Sequence, residues 1–149
     1  MESEAFTWLT RIKDVEREHT TTRFAIEHLK RSLGEKTIKL LADLKEKHVN
    51  QANDRLEATY IVRLFSEFER ALKEYLYSKK IKIPWKAESL INRVASRVRI
   101  QGIILVNAHQ VRNQRNIFVH HLEQKDEPLT MRKSTSYLTT FLDRLKIDW

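Results

Sequence analysis

The chain reads as all-α, a helical bundle of about five to six helices in a single domain spanning residues 1–149. Three observations predict this. Two Gly and two Pro leave little punctuation for the many turns of a β fold. Apolar residues recur at alternating four- and three-residue spacing over long stretches, which is the period of a helix face. The residues between them are rich in Glu, Lys, Leu, Arg and Ala, which favour helix. A chain of this length can bury a sizeable core without disulfides or metals.

Each element follows from its stripe. Trp8, Ile12, Val15, His19, Thr22, Ile26, Leu29 and Leu33 predict one long helix over residues 4–33, with Gly34 placed to terminate it. His19 falls on the buried stripe with no acid or second His in register, so it reads as a core or interface histidine. Ile38, Leu40, Leu41 and Leu44 predict a shorter amphipathic helix over residues 35–48. The polar residues 50–53 supply a junction before the central helix, residues 54–78. There Ile61, Leu64, Phe65, Phe68, Leu72, Tyr75 and Leu76 form a broad apolar face, with Glu69 on its flank. The basic, β-branched tract 79–86 breaks the pattern, and Pro84 favours a helix start. Ala87, Ile91, Val94 and Val98 then form the stripe of the next helix, while Lys86, Arg93 and Arg97 share another face. Gly102 marks a break before a helix over residues 103–124, closed by Asp126, Glu127 and Pro128. Leu138, Phe141, Leu142 and Leu145 predict the last helix, residues 130–145.

Composition excludes several function classes. Without cysteine there is no disulfide framework, thiol catalysis or cysteine-based zinc site, which fits a reducing compartment. No apolar run approaches a membrane span and the start, Met1-Glu2-Ser3-Glu4, lacks a signal core, so a cytoplasmic protein with no membrane partner is expected. The net charge is +8, and residues 76–115 hold nine Lys and Arg against one acid, Glu88, which accounts for the whole excess. Such a segment attracts polyanions in a salt-dependent way, and nucleic acid is the favoured partner.

Within the helix over residues 103–124 the stripe runs Ile104, Ala108, Val111, position 115, Phe118, Leu122, and position 115 is Arg where Leu is expected. A guanidinium cannot shed its charge, so Arg115 must meet a carboxylate, line a crevice or bind an anion. Glu69 is the carboxylate placed to meet it. Arg112, Asn116 and His120 follow one another at four-residue steps and share a side that drifts about 40° per step. Arg115 and His120 lie roughly 140° apart and about 7.5 Å along an ideal helix, so a second copy of the helix in a two-fold homodimer would complete one cleft. Imidazole, guanidinium and amide together suit RNA cleavage by the ribose 2′-hydroxyl: His120 moves the proton, Arg115 stabilises charge on the phosphate, and Asn116 orients. This chemistry needs no metal and no cofactor. His109, His120 and His121 lack positioned carboxylates and are not assigned as metal ligands.

The hexapeptide Arg115-Asn116-Ile117-Phe118-Val119-His120 resembles the Arg-polar-three-residue-His signature of the HEPN ribonucleases. The helical layout and Phe68-Glu69 on the preceding long helix fit the same superfamily. The resemblance implies a HEPN-like fold and a metal-independent endoribonuclease, the homodimeric toxin of a toxin-antitoxin or phage-defence system, with an antitoxin protein as partner. It implies catalytic Arg115 and His120, with Asn116 as the polar member. Arg112, His121, Arg93, Arg97 and Lys86 are the expected RNA contacts. Where toxins paired with nucleotidyltransferase antitoxins often carry Tyr two residues after the His, this chain has Leu122. Two other readings stand beside the nuclease: a non-catalytic HEPN-like module that binds RNA or nucleotide, and a structural helical adaptor whose Arg115 pairs with Glu69.

Overall fold

Helix α2 (Glu46–Ser78) is the axis of the core. The computed structural model describes residues 4–41 and 43–149; residues 1–3, which include the acidic start, and Ala42 lie outside the described residues. Around α2 pack α1 (Glu4–Gly34), α3 (Ala87–Arg97), α4 (Ile103–His120) and α5 (Met131–Asp143), and a 3-10 turn at Arg144–Ile147 follows. The described residues contain no strand, and no helix among them is long and apolar enough to cross a membrane.

The α2 stripe is buried throughout, at Ile61, Leu64, Phe65, Phe68, Leu72, Tyr75 and Leu76. Each large apolar side chain removed from water there stabilises the fold by about 1.5–3 kcal/mol. Phe68 meets Phe141 of α5 edge-on, ring centres 5.3 Å apart, and all five helices contribute to the same core. Helix α1 runs antiparallel to α2. The indole N–H of Trp8 donates to Glu74 at 2.9 Å, Arg63 pairs with Glu18, and the hydroxyls of Thr22 and Tyr60 lie 2.9 Å apart. Burial of the α1 stripe stops at His19; Thr22, Ile26, Leu29 and Leu33 are only partly covered.

The short helix expected over residues 35–48 is absent: residues 35–41 and 43–45 are not helical, and residues 46–48 begin α2. A helix of that length is marginal in water and survives only by burying its apolar face. Ile38, Leu41 and Leu44 remain exposed, Leu41 at 79%, so nothing supports one. Helix α2 therefore starts before the expected junction at residues 50–53 and runs through it. Likewise α3 begins at Ala87, three residues beyond Pro84, which lies in the non-helical tract.

The C-terminal ends of α1 to α4 follow a common device. The amide of Thr37 reaches the carbonyl of Ser32, Ile81 that of Leu76, Ile100 that of Ala95, and Leu122 that of Ile117, at 2.8–3.0 Å. In each case the residue before the donor is left-handed: Lys36, Lys80, Arg99 and His121 have φ of 52–57°. These are Schellman closures, in which Gly is the usual occupant. Gly34, expected as the terminator, is instead the last helical residue of α1. Gly102 behaves as expected of a break: its φ of 61° and ψ of −139° place it where side-chain-bearing residues are strained, and α4 starts immediately after it.

Candidate active site

Helix α4 carries the motif, and its inner face is set by Ala108, Val111 and Gln114, which are buried. Ile104, Arg115 and Phe118 lie half-buried beside them, whereas Leu122, expected as the last member of the stripe, is exposed. The helix stops at His120 rather than continuing to Gln124, because His121 turns left-handed. A hydrogen-bond relay then folds the chain back. The amide of Gln114 donates to Gln124 Oε1 at 2.6 Å, its carbonyl accepts from the backbone N–H of Leu129 at 3.2 Å, and Gln124 donates to the carbonyl of Asp126 at 2.8 Å.

Arg115 points towards α2. Its Nη2 donates to Glu69 Oε2 at 3.3 Å, its Nη1 donates to Asn116 Oδ1 at 2.9 Å, and its guanidinium carbon lies 4.8 Å from the centre of the Phe65 ring. The Arg115 side chain is 21% exposed and that of Glu69 22%, so the pair sits at the rim of the core. Lys73 also donates to Glu69, at 2.6 Å, so two cations share one carboxylate. His120 is exposed at the C-terminal end of the same helix, with no hydrogen bond or ion pair to any described residue. Asn116 lies between them, half-buried.

The expected RNA contacts divide into two groups. Lys86 and Arg93 are exposed and unpaired among the described residues, and His121 is exposed at the left-handed cap. Arg112 and Arg97 are committed to carboxylates. Arg112 meets Glu88 at 2.7 Å with only 16% of its side chain exposed. Arg97 donates to the Tyr75 hydroxyl at 3.1 Å and lies 3.4 Å from Asp148. Burial, and then the hydrogen bond that the phenol donates to Asp148, push Tyr75 up to about 12. Beside Arg112, His109 Nε2 is 2.8 Å from Asn92 Oδ1. Burial first, and the Arg112 charge second, hold His109 below its ordinary range, with Glu88 opposing them. Among the described residues no three His, Asp or Glu converge as a metal-ligand set.

Several groups were not singled out from the sequence. Gln114 positions the chain after His120, but its partners lie ten and fifteen residues further on. His19, expected as a core or interface histidine, is buried, and it also lines a cleft of about 620 Å³ opposite Glu57. Its Nε2 is 2.9 Å from Glu57 Oε2 but out of line for a hydrogen bond. Glu57 also accepts the backbone N–H of Met131, tying α1, α2 and the start of α5 together. A further cleft of about 440 Å³ gathers Arg97, Arg99 and Arg144; Arg99 could have been noticed in the basic segment, but Arg144 lies far outside it. Compared with known proteins, the chain matches no family model, no curated protein and no solved structure.

Proposed function

We infer that the protein is a metal-independent endoribonuclease, acting as the toxin of a toxin-antitoxin or phage-defence system. The observation that carries this reading is the pairing on one helix of a fixed cation with a free imidazole. Arg115 is held by Glu69, Asn116 and the Phe65 ring, and His120 stands unpartnered in solvent one and a half turns on. In the reaction, the ribose 2′-oxygen attacks phosphorus, the bond from phosphorus to the 5′-oxygen breaks, and a 2′,3′-cyclic phosphate is left. His120 accepts the 2′-OH proton, and a second copy of the same helix supplies the imidazole that protonates the leaving oxygen. Arg115 stabilises the charge that builds on the phosphate. The two groups diverge around a single helix, which supports a two-fold dimer with paired α4 helices.

The test is expression of wild type beside His120→Ala in a bacterial host, with mapping of RNA ends and cleavage assays in a chelator. Growth arrest and cyclic phosphate ends from wild type alone are expected, and DNA, lacking the 2′-OH, stays intact. Equal growth and intact RNA in both cultures would remove the enzyme reading. The Arg115–Glu69 contact itself favours a second reading, a helical adaptor in which the pair only joins α2 to α4. In that case neutralising Arg115 lowers stability, and the protein shows no RNA affinity at low salt. A non-cleaving RNA-binding module is distinguished by affinity that persists where cleavage is absent.

A further inference from the structure

The solvent face of α3 carries Lys86, Ser89, Arg93, Ser96 and Arg97, opposite the buried Leu90, Ile91, Val94 and Ala95. The one carboxylate of α3, Glu88, is held by Arg112 of α4, so its charge is offset from outside this face and the cations of the face are in excess. At its C-terminal end the face opens into the cleft of Arg97, Arg99 and Arg144, with Gln101 and Asp148 in its wall, three cations to one carboxylate. Arg97 is fixed there by the Tyr75 hydroxyl and Asp148. Arg99 and Arg144 are exposed and make no ion pair with a described residue. Arg99 occupies a left-handed backbone position that favours Gly, and the fold makes no use of its guanidinium.

At the other end, the non-helical tract before α3 bends at Trp85 and places it in water. The residue is 98% exposed, with Lys82 and Lys86 on either side in sequence. It makes no hydrogen bond or ring contact among the described residues. An indole left in solvent forfeits the burial that usually retains Trp, whereas beside cations it offers a stacking face to a base on a polyanion. The Glu88–Arg112 and Asn92–His109 contacts order α3 and α4 antiparallel. The end bearing Trp85 is therefore the end next to the turn of Arg115.

We propose that this face is a track for single-stranded RNA, deepening the nuclease reading on which it rests. The sugar-phosphate backbone lies along Lys86 and Arg93 into the arginine cleft, about 16 Å over residues 86–97, and an unpaired base stacks on Trp85. A duplex keeps its base faces inside and has none to give Trp85, so the track selects unpaired strands; every base has such a face, so it tolerates sequence.

The experiment uses a short fluorescent 2′-O-methyl oligonucleotide, which cannot be cut through its 2′-oxygen, so binding is read without cleavage. Affinity is measured over a salt series for wild type, Trp85→Ala, and the combined Arg93→Gln, Arg99→Gly, Arg144→Gln variant. Arg99→Gly relieves the left-handed strain while removing the charge, so lost binding cannot be blamed on a weakened fold. Trp85→Ala should weaken binding roughly 5- to 150-fold, and the triple variant should flatten the salt slope by about 2. The annealed duplex should gain little from Trp85. If wild type binds the oligonucleotide and both variants match it in affinity and slope, the track is overturned and the RNA reading stands. If wild type binds no RNA at low salt, both readings fall. Trp85-dependent binding to phosphatidylserine vesicles without RNA binding would overturn the track in favour of a membrane surface.

Discussion

Replacing Arg115 by Met separates its chemical role from its structural one. Met keeps an unbranched apolar stem beside Phe65 and removes the cation. The stability cost follows from two contacts. The guanidinium over Phe65 contributes about 0.5–1 kcal/mol. The 3.3 Å contact to Glu69 lies at the rim of the core and contributes about 1 kcal/mol or less. Removing Arg115 leaves no orphaned charge, because Lys73 still holds Glu69 at 2.6 Å; the 3–5 kcal/mol penalty of a stranded buried carboxylate therefore does not apply. The expected loss is about 1–2 kcal/mol, read as a lower urea midpoint at unchanged denaturant slope. RNA cleavage by folded protein should fall by roughly 10²–10³, the scale of losing one oxyanion-type contact. A double-mutant cycle with Glu69→Gln should give a coupling of about 1 kcal/mol. A coupling of about 3 kcal/mol or more, with cleavage by folded protein unchanged, would refute the reasoning and make the pair a structural clamp.

Three further outcomes are expected. Lys80→Gly and Arg99→Gly should each stabilise by roughly 0.5–1 kcal/mol, the left-handed strain relieved less the added entropy of the unfolded chain, and together raise Tm by about 2–8 °C in calorimetry. Gln114→Leu should strand the Leu129 amide at a cost of about 1–3 kcal/mol, with hydrogen exchange accelerating at Leu129 before it does in α2. His109 is held below its ordinary value of 6.5, so the unfolded chain takes up its proton first. Its contribution to stability is present above about pH 6.5 and is lost as pH falls through the lowered folded value. His109→Gln should accordingly show a smaller drop in urea stability between neutral and mildly acid pH than wild type.

What could be read directly from residues was whatever one helix decides alone. The α2 stripe from Ile61 to Leu76 is periodic, unbroken and covered on arrival by every other helix, so its burial follows from its spacing. Arg115 was visible because it interrupts such a stripe, and the side chain it meets, Glu69, sits on the flank of the other broad one. The signals that misled were local ones lacking a tertiary partner. Ile38, Leu41 and Leu44 are spaced for a helix face but meet no surface to cover. Gly34 is the better left-handed residue, yet the turn falls at Lys36, two positions on. The contacts of Gln114 and His19 were illegible for the opposite reason. Their partners, Gln124, Leu129 and Glu57, are fixed only once loops and helix register are in place.

The lengths of α1 and α2 carry a mechanical consequence. At 31 and 33 residues they extend about 46 and 50 Å, while α3, α4 and α5, of 11, 18 and 13 residues, reach at most about 27 Å. No described residue of α1 beyond His19 is buried, and before Ile61 only Val49 and Leu56 of α2 are. The distal half of the helix pair is thus a lever anchored where Glu57 holds Met131. It should open and close as its own cooperative unit at a fraction of the global free energy. Amides in the distal parts of α1 and α2 would then exchange in a faster class than those in the lower half of the same two helices, with the boundary at the His19–Glu57 contact.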